Sequence, residues 1–261
     1  MRVHVADVDL NVVVHGHGTP LLLVHGFPLD HTMWQMQIDT LADSHQVIAM
    51  DLRGFGDSGV TPGIATMEHL ADDLAVLLEE LKIEQRVAFC GLSMGGYVAW
   101  QFWQRHGDHL ARLILCDTRA VADSEDVAQI RLETAEQVLS DGPQSLADGM
   151  IEKLFCQATR DQQSEIVETV RNVMLATDPE GIAAALRGMA RREDFSNRLG
   201  EIDVPTLVIC GEHDAISTAE EMRDIAANIR DASYVEIPDA GHMSPLENAV
   251  AVNNAIDEFL M

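Results

Sequence analysis

The most informative part of the sequence is the stretch Val87-Ala88-Phe89-Cys90-Gly91-Leu92-Ser93-Met94-Gly95. The apolar residues at the beginning of this stretch predict a buried β-strand, and the residues that follow the stretch, up to Arg105, have a helical pattern. Between strand and helix, two glycines flank Ser93 at the spacing G-x-S-x-G. Because glycine has no Cβ, the chain can turn sharply there and lift the serine hydroxyl clear of the strand. We therefore predict a strand, a tight turn and a helix, with Ser93 as a candidate nucleophile.

Further apolar runs before and after this stretch predict a sheet. Alternating apolar residues between 3 and 14 indicate an opening β-hairpin. Runs that are apolar on both faces and separated by helical patterns are typical of a parallel sheet covered on both sides. We therefore expect an α/β fold with a mostly parallel eight-stranded sheet and helices on both faces. The predicted strands after the hairpin are Leu21–Val24, Val47–Met50, Val87–Cys90, Leu113–Cys116, Val204–Cys210 and Tyr234–Ile237.

The helices between these strands follow the 3.6-residue period. Leucines from Leu70 to Leu81 predict one helix behind a Thr66 N-cap. Between residues 118 and 203 no strand-like run occurs and four helical patterns follow one another, one of them opened by Asp178-Pro179. The sequence therefore predicts a core of residues 1–117 and 204–261 with an inserted helical cap, or lid, of residues 118–203.

A serine nucleophile needs a general base, and the base needs a carboxylate to fix its tautomer. Asp214 and His242 follow the last two predicted strands, where catalytic groups collect in open parallel sheets. We predict that Ser93 is the nucleophile, His242 the general base and Asp214 the acid that orients it. Asp117 also follows a strand, so it is an alternative acid unless it caps the chain or pairs with Arg119.

Hydrolysis of an ester also needs N–H donors for the developing oxyanion. The N–H of Met94 begins the helix after Ser93 and is the first predicted donor. The second should come from the loop after an early strand, His25-Gly26-Phe27-Pro28. Phe27 is our choice, because Pro28 has no N–H and Gly26 is better suited to turn the chain. His25 is expected to steady this loop.

Five motifs together resemble the α/β-hydrolase superfamily, including its triad order of Ser, Asp and His. The sequence is similar in particular to the 3-oxoadipate enol-lactonase-like branch and to small carboxylesterases. The resemblance implies a serine esterase or lactonase that acts through an acyl-enzyme without a cofactor. Serine at position 93 disfavours dehalogenases and epoxide hydrolases, which use aspartate there. The motifs are His25–Pro28, Asp51–Ser58, Gly91–Gly96, Gly211–Asp214 and Gly241-His242.

Other activities use the same triad and stay open at this point. They are cofactor-free haloperoxidase or perhydrolase activity and hydrolysis of a carbon–carbon bond. A non-catalytic small-molecule receptor that retains the pocket is the alternative outside the enzymes. Asp51–Ser58 lacks the P-loop pattern and predicts a tight turn beside the site. His15 and His17 lie in a turn without further ligands nearby, so we predict no metal site.

The composition of the chain limits which partners and which cellular compartment we expect for the protein. With 17 Lys and Arg against 43 Asp and Glu, the formal net charge is −26, which disfavours nucleic acid and anionic membranes as partners. The N-terminus lacks a signal-peptide pattern, and no apolar run is long enough to span a membrane. Four scattered cysteines are expected to be buried, reduced thiols. We therefore expect a cytoplasmic enzyme that acts on a small ester or lactone.

Overall fold

The computed structural model of the protein describes residues 1–261 as one chain of alternating strands and helices. The strands are β1 (Arg2–Val5), β2 (Val8–His15), β3 (Thr19–Val24), β4 (His45–Met50), β5 (Val87–Leu92), β6 (Leu110–Cys116), β7 (Thr206–Gly211) and β8 (Ala232–Ile237). The helices are α1 (Gln35–Leu41), α2 (Met67–Glu80), α3 (Met94–His106), α4 (Glu125–Asp141), α5 (Gln144–Leu154), α6 (Gln157–Gln162), α7 (Ser164–Ala176), α8 (Pro179–Met189), α9 (Ala219–Asn228), α10 (Ser244–Glu247) and α11 (Ala249–Leu260).

All eight strands form one sheet in the order β1-β2-β4-β3-β5-β6-β7-β8. The pairs β1/β2 and β2/β4 are antiparallel, and every other neighbouring pair is parallel. The predicted mostly parallel eight-stranded sheet is therefore confirmed. Because β5 to β8 run parallel in sequence order, their carboxyl ends lie along one edge of the sheet.

Helices cover both faces of this sheet, as predicted. Successive residues of a strand point to opposite faces, so Leu22 belongs to one apolar cluster and Leu23 to the other. The first cluster includes apolar side chains of α2, α3 and α9, such as Leu74. The second includes side chains of α1 and α11, such as Ile38 and Val252. Burial of these two faces holds the strand ends in fixed positions.

The predicted helix starts at Thr66 and Asp178 are present. Thr66 Oγ1 accepts a hydrogen bond from the N–H of His69, and Asp178 accepts one from the N–H of Glu180 with Pro179 in the first turn. Between β6 and β7 the structure has five α-helices, α4 to α8, where four helical patterns were predicted. The shortest of the five is α6, whose six residues are mostly polar and show no apolar period.

Helix α8 lies directly on the backbone of two core loops. A Cβ placed on Gly181 would lie 1.9 Å from the carbonyl oxygen of Gly54, and one on Gly188 would lie 1.8 Å from that of Ala65. The N–H of Ala65 also donates to the carbonyl of Ala184, at 3.0 Å. Two glycines on one helix face thus permit backbone contact that no larger residue would allow.

The four cysteines are buried and unpaired, in agreement with the prediction that they are small apolar residues. Cys90 and Cys116 stand on neighbouring strands with their sulfurs 3.8 Å apart. None of the helices combines the length and the apolar character that crossing a membrane requires.

Candidate active site

Ser93 lies between β5 and α3 in a backbone conformation that L-residues rarely adopt. Its φ is 52° and its ψ −110°, and its N–H donates to the carbonyl of Cys116 at 3.0 Å. A Cβ on Gly91 would lie 2.4 Å from the carbonyl oxygen of Gly95, and one on Gly95 would lie 2.3 Å from that of Val24. Close packing therefore requires both glycines, and it holds Ser93 in a strained turn at the strand end.

Asp214 and His242 are in direct contact at the ends of β7 and β8. The Nδ1–H of His242 donates to Oδ2 of Asp214 at 2.8 Å, and both side chains are buried. Burial alone would raise the pKa of Asp214, but the charge and hydrogen bond of His242 outweigh it and lower that pKa. An ionised Asp214 fixes the tautomer of the imidazole and leaves Nε2 without a protein partner.

The Ser93 hydroxyl makes no hydrogen bond to His242 in this structure, and no other protein atom bonds it. Ser93 is partly exposed. Catalytic hydrogen bonds are often long in unliganded enzymes and shorten when substrate is bound. The fold brings Asp214 into contact with His242 and puts Ser93 at the same edge of the sheet.

Ser217 is a member of the site that the sequence analysis missed. Its hydroxyl donates to Oδ2 of Asp214 at 2.7 Å and lies 3.3 Å from Nδ1 of His242. Its N–H and that of Ile216 donate to the other carboxylate oxygen, at 3.1 and 2.7 Å. A serine three residues after an aspartate is a common turn pattern and is the signal that could have identified it.

Glu247, also missed, holds the loop that carries His242. Its Oε1 accepts hydrogen bonds from the N–H groups of Gly241 and Met243, at 2.8 and 3.2 Å. Its Oε2 accepts one from the N–H of Cys156 at 2.9 Å. One buried carboxylate thus fixes the backbone on both sides of the histidine and ties it to the helical segment. No sequence pattern marks this role, because it depends on contacts between distant segments.

Asp117, the alternative acid, does not contact His242. Its Oδ1 accepts a hydrogen bond from the N–H of Gly211 at 2.7 Å, and its Oδ2 accepts one from the hydroxyl of Ser244. Burial and the neighbouring charge of Asp214 raise the pKa of Asp117 well above its usual value. A carboxyl that favours its protonated form and lies away from the imidazole is poorly suited to orient it.

The pairing of Asp117 with Arg119 that the sequence left open is not found. Arg119 Nε instead donates to Oε1 of Glu221 on α9, at 2.8 Å. The reason is geometric, because Asp117 has a positive φ of 46° and its side chain is wholly buried at the sheet edge. Arg119 is two residues further on and reaches the surface.

The turn after β3 packs against Ser93 and presents a free N–H group. The N–H of Leu29 closes the turn by donating to the carbonyl of Gly26 at 3.0 Å. A Cβ on Gly26 would lie 3.4 Å from the Cβ of Ser93. The N–H groups of Phe27 and Met94 have no hydrogen-bond acceptor within the protein. Buried N–H groups are rarely left unpaired, so these two are unusual in a folded protein.

Hydrogen bonds of two histidines, His25 and His31, hold this turn and the residues after it. His25 Nδ1–H donates to the carbonyl of Gly26, and its Nε2 accepts the N–H of Leu52, both at 2.9 Å. Burial lowers the pKa of His25, which favours the neutral form that this bonding pattern requires. Asp51 accepts from the N–H and the Nδ1–H of His31, and despite its burial these bonds lower the pKa of Asp51 to about 2.

Two groups of side chains lie close enough to share a metal ion, but their donors are already engaged. Carboxylate oxygens in both groups accept hydrogen bonds from protein donors. Burial also raises the pKa of Cys210, which disfavours the thiolate that a metal would need. The groups are Asp30 with His31 and Asp51, and Asp117 with Cys210 and Asp214.

The fold described above agrees with what the family comparison shows. Residues 19–249 match the family described as having the alpha/beta hydrolase fold, and the chain belongs to that family.

Several known proteins are similar to this chain over nearly its whole length. The structure of a thermophilic esterase from Thermogutta terrifontis, with malate bound, is 47% identical with a TM-score of 0.98, and the match covers 100% of this chain and 98% of that one. The enol-lactonase from Burkholderia xenovorans LB400 is 32% identical with a TM-score of 0.92, over 100% and 99% of the two chains. 3-Oxoadipate enol-lactonase 2 from Acinetobacter baylyi is 28% identical, over 96% of this chain and 92% of that protein. An esterase and enol-lactonases are thus among the proteins that this chain resembles.

Proposed function

We propose that the protein is a serine hydrolase that cleaves carboxylic esters of small to medium size. Ser93 is the nucleophile, His242 the general base and Asp214 the acid that orients the base. The N–H groups of Phe27 and Met94 hold the oxyanion. The observation that carries the proposal is the 2.8 Å contact between Nδ1 of His242 and Asp214, which leaves Nε2 free at the edge where Ser93 stands.

The reaction follows from these positions in two steps. Nε2 of His242 accepts the hydroxyl proton as Ser93 attacks the ester carbonyl, and Asp214 stabilises the imidazolium that forms. The carbonyl oxygen takes up the negative charge and is bonded by the two free N–H groups. His242 then gives its proton to the leaving alcohol, which leaves an acyl group on Ser93. Water, deprotonated by His242, attacks this acyl-enzyme. His242 then returns the proton to the departing oxygen of Ser93 as the acid is released, so the cycle needs no cofactor.

Hydrolysis of an enol-lactone is the second candidate. It is favoured by the enol-lactonases among the relatives, at 32% and 28% identity. A lactone is a cyclic ester, so the same residues would act on it in the same roles. The thermophilic esterase at 47% identity favours the acyclic ester as the first candidate.

We further propose that residues 118–203 act as the cap of the site. Its helices α4 to α8 lie between β6 and β7, and Cys156 within it bonds the loop of His242 through Glu247. A cap that excludes water and limits the size of the pocket favours small substrates over polymers. A cytoplasmic location fits the four reduced thiols.

Hydrolysis of p-nitrophenyl acetate and butyrate tests the proposed function. We expect Ser93→Ala and His242→Ala each to lower kcat by several orders of magnitude without loss of folding, because the triad acts as a unit. A fluorophosphonate probe should label the wild-type protein at Ser93 and fail to label Ser93→Ala. Wild-type turnover in either variant would refute the mechanism.

The acid is tested by a matched pair of aspartate variants. Asp214→Asn should lower kcat severely, because the amide cannot stabilise the imidazolium. Asp117→Asn removes a carboxylate of equal burial that does not touch His242, and we expect a small effect on kcat. The reverse pattern would assign the acid role to Asp117.

A further inference from the structure

The end of α5 and the residues before α6 lie against the loop that carries the proposed base. We call Leu154–Cys156 the junction segment, and all of its residues are buried. The carbonyl of Leu154 accepts the N–H of Met243 at 3.1 Å. The Sγ–H of Cys156 donates to the carbonyl of Asp239 at 3.3 Å. The proposed cap therefore bonds this loop on both sides of the base.

No space separates the junction segment from the loop of His242. A Cβ placed on Gly241 would lie 2.6 Å from the backbone nitrogen of Cys156 and 3.0 Å from the carbonyl carbon of Phe155. Both distances are shorter than an ordinary van der Waals contact, so the two segments pack backbone against backbone. A displacement of the junction segment toward the loop therefore has to move Gly241 and the next residue along the chain, His242.

The carboxylate of Glu247 bonds the junction segment and the loop at once. Its Oε2 accepts the N–H of Cys156, and its Oε1 accepts those of Gly241 and Met243, the two neighbours of His242 in the chain. These backbone N–H groups are its hydrogen-bond partners, and it is the only glutamate among the buried residues. Burial of a carboxylate is unfavourable without such bonds. The position of Glu247 is therefore determined by the two segments that it joins.

We infer that the junction segment of the helical insertion positions the general base, and that it does so through Glu247 as a positioning residue. The inference rests on the proposed function, since it presupposes that His242 is the base. Strand β8 ends at Ile237, so residues 238–241 separate the imidazole from the sheet. The ring has to come within hydrogen-bond reach of the Ser93 hydroxyl, and a misplacement of about 1 Å can lower the rate about 100-fold. The contacts of this loop therefore bear directly on turnover.

Two substitutions at Glu247 separate its bonds to the loop from its bond to the insertion. In Glu247→Gln the amide oxygen can still accept the N–H groups of Gly241 and Met243. The amide NH2 group then faces the N–H of Cys156 and cannot accept it. The flipped amide would place its NH2 group against two N–H groups and is therefore disfavoured. Glu247→Gln thus removes the bond to the insertion and keeps those to the loop, whereas Glu247→Met removes all of them.

We expect kcat for p-nitrophenyl butyrate to fall about tenfold in Glu247→Gln and about 100-fold in Glu247→Met. KM should change by less than about threefold, because neither variant alters a group that binds substrate. The rate of labelling of Ser93 by a fluorophosphonate should fall in parallel, since it depends on the same base. After complete reaction, every chain should still carry the label. A merely structural role would instead lower the fraction of chains that can be labelled and leave kcat per labelled chain unchanged.

Gln37 provides a matched control, because it bonds the same short helix that Glu247 ends. Its buried amide donates to the carbonyl of Pro245 in α10 at 3.1 Å and to Oδ1 of Asn253 at 2.9 Å, and it makes no hydrogen bond to the loop of His242. Gln37→Met and Glu247→Gln should each lower the Tm by about 3–6 °C, from the loss of buried hydrogen bonds. In Gln37→Met, kcat per labelled chain should stay within about twofold of the wild type.

Wild-type kcat per labelled chain in Glu247→Gln, or an equal loss in Gln37→Met, would overturn the inference. If Glu247→Met fails to fold, the comparison of Glu247→Gln with Gln37→Met decides alone. The outcome also separates this inference from the proposed function. If the wild type does not hydrolyse the ester, or if Ser93→Ala hydrolyses it equally well, the proposed function fails. If hydrolysis depends on Ser93 but kcat is unchanged in Glu247→Gln, the proposed function holds and the positioning role is wrong.

Discussion

The hydroxyl of Ser217 contacts both Asp214 and His242. Removing it therefore tests how strongly kcat depends on the geometry of that pair. Ser217→Ala removes the 2.7 Å hydrogen bond to Oδ2 of Asp214 and keeps those from the N–H groups of Ile216 and residue 217. We expect kcat to fall about tenfold, since a hydrogen bond to a charged group contributes about 1.5–3 kcal/mol. KM should not change, because Ser217 acts through the base. Steady-state kinetics with p-nitrophenyl butyrate measures both constants.

Ser244→Ala is the control for that variant. Ser244 is as deeply buried as Ser217, and its hydroxyl also bonds a carboxylate, that of Asp117. Since Asp117 does not touch His242, we expect kcat close to that of the wild type. A larger loss in Ser244→Ala than in Ser217→Ala would contradict our assignment of the acid.

For a single residue, the sequence reveals the chemistry of the side chain and whether the residue follows a predicted strand. That is enough to predict Ser93, Asp214 and His242 as candidates, because parallel strands bring their carboxyl ends to one edge. It is not enough for Glu247, because one of its three N–H partners, that of Cys156, lies 91 residues away in the chain. The sequence favours Asp214 and keeps Asp117 as an alternative, because both follow strands; in the folded protein Asp214 is the one that bonds the imidazole.

Among the elements, α8 lies in backbone contact with the core. Adding a single methyl group to a glycine of α8 tests how much this contact contributes to stability. Gly188→Ala would bring a Cβ to 1.8 Å from the carbonyl oxygen of Ala65, so helix or loop must move. We expect the free energy of unfolding to fall by about 3 kcal/mol, the upper part of the range for overpacking. Urea unfolding followed by circular dichroism measures the change.

A glycine-to-alanine substitution on α5 should have the opposite effect on the free energy of unfolding. Gly149 is exposed in mid-helix, and a Cβ there would meet nothing within 4 Å. Gly149→Ala should therefore raise the free energy of unfolding by about 0.5–1 kcal/mol, because alanine favours a helix over glycine. Equal destabilisation by the two variants would show that backbone contact is not the cause at Gly188.

Elements with a regular apolar period and a capping residue could be predicted from the sequence, and α2 and α8 have both. The helix α6 has neither, because its residues Gln157–Gln162 are mostly polar and no side chain caps its start. It lies between the longer helices α5 and α7, and its own residues give no pattern that predicts it. Tertiary position rather than local preference determines such a short helix.

For the whole molecule, the net charge of −26 predicts a stability that depends on salt. Repulsion among surface carboxylates destabilises the compact state, and dissolved ions screen it. We expect the Tm to rise between 10 mM and 500 mM NaCl, with most of the rise below about 150 mM, where the screening length reaches about 8 Å. Differential scanning fluorimetry measures this, and KCl should give the same curve. An unchanged Tm would contradict the prediction.

The adjacency of β6 and β7 has a consequence for how such a protein can diversify. Leu113 of β6 pairs with Thr206 of β7, so the chain leaves the sheet and returns to it on neighbouring strands. A recombination event that replaces everything between these strands preserves each ladder of the sheet and each strand end that carries a reacting group. Among the contacts that the incoming segment must re-create are the bond from Cys156 to Glu247 and the backbone contacts of Gly181 and Gly188. Descendants of one ancestral gene can therefore inherit the strand ends intact while exchanging the segment that we propose as the cap.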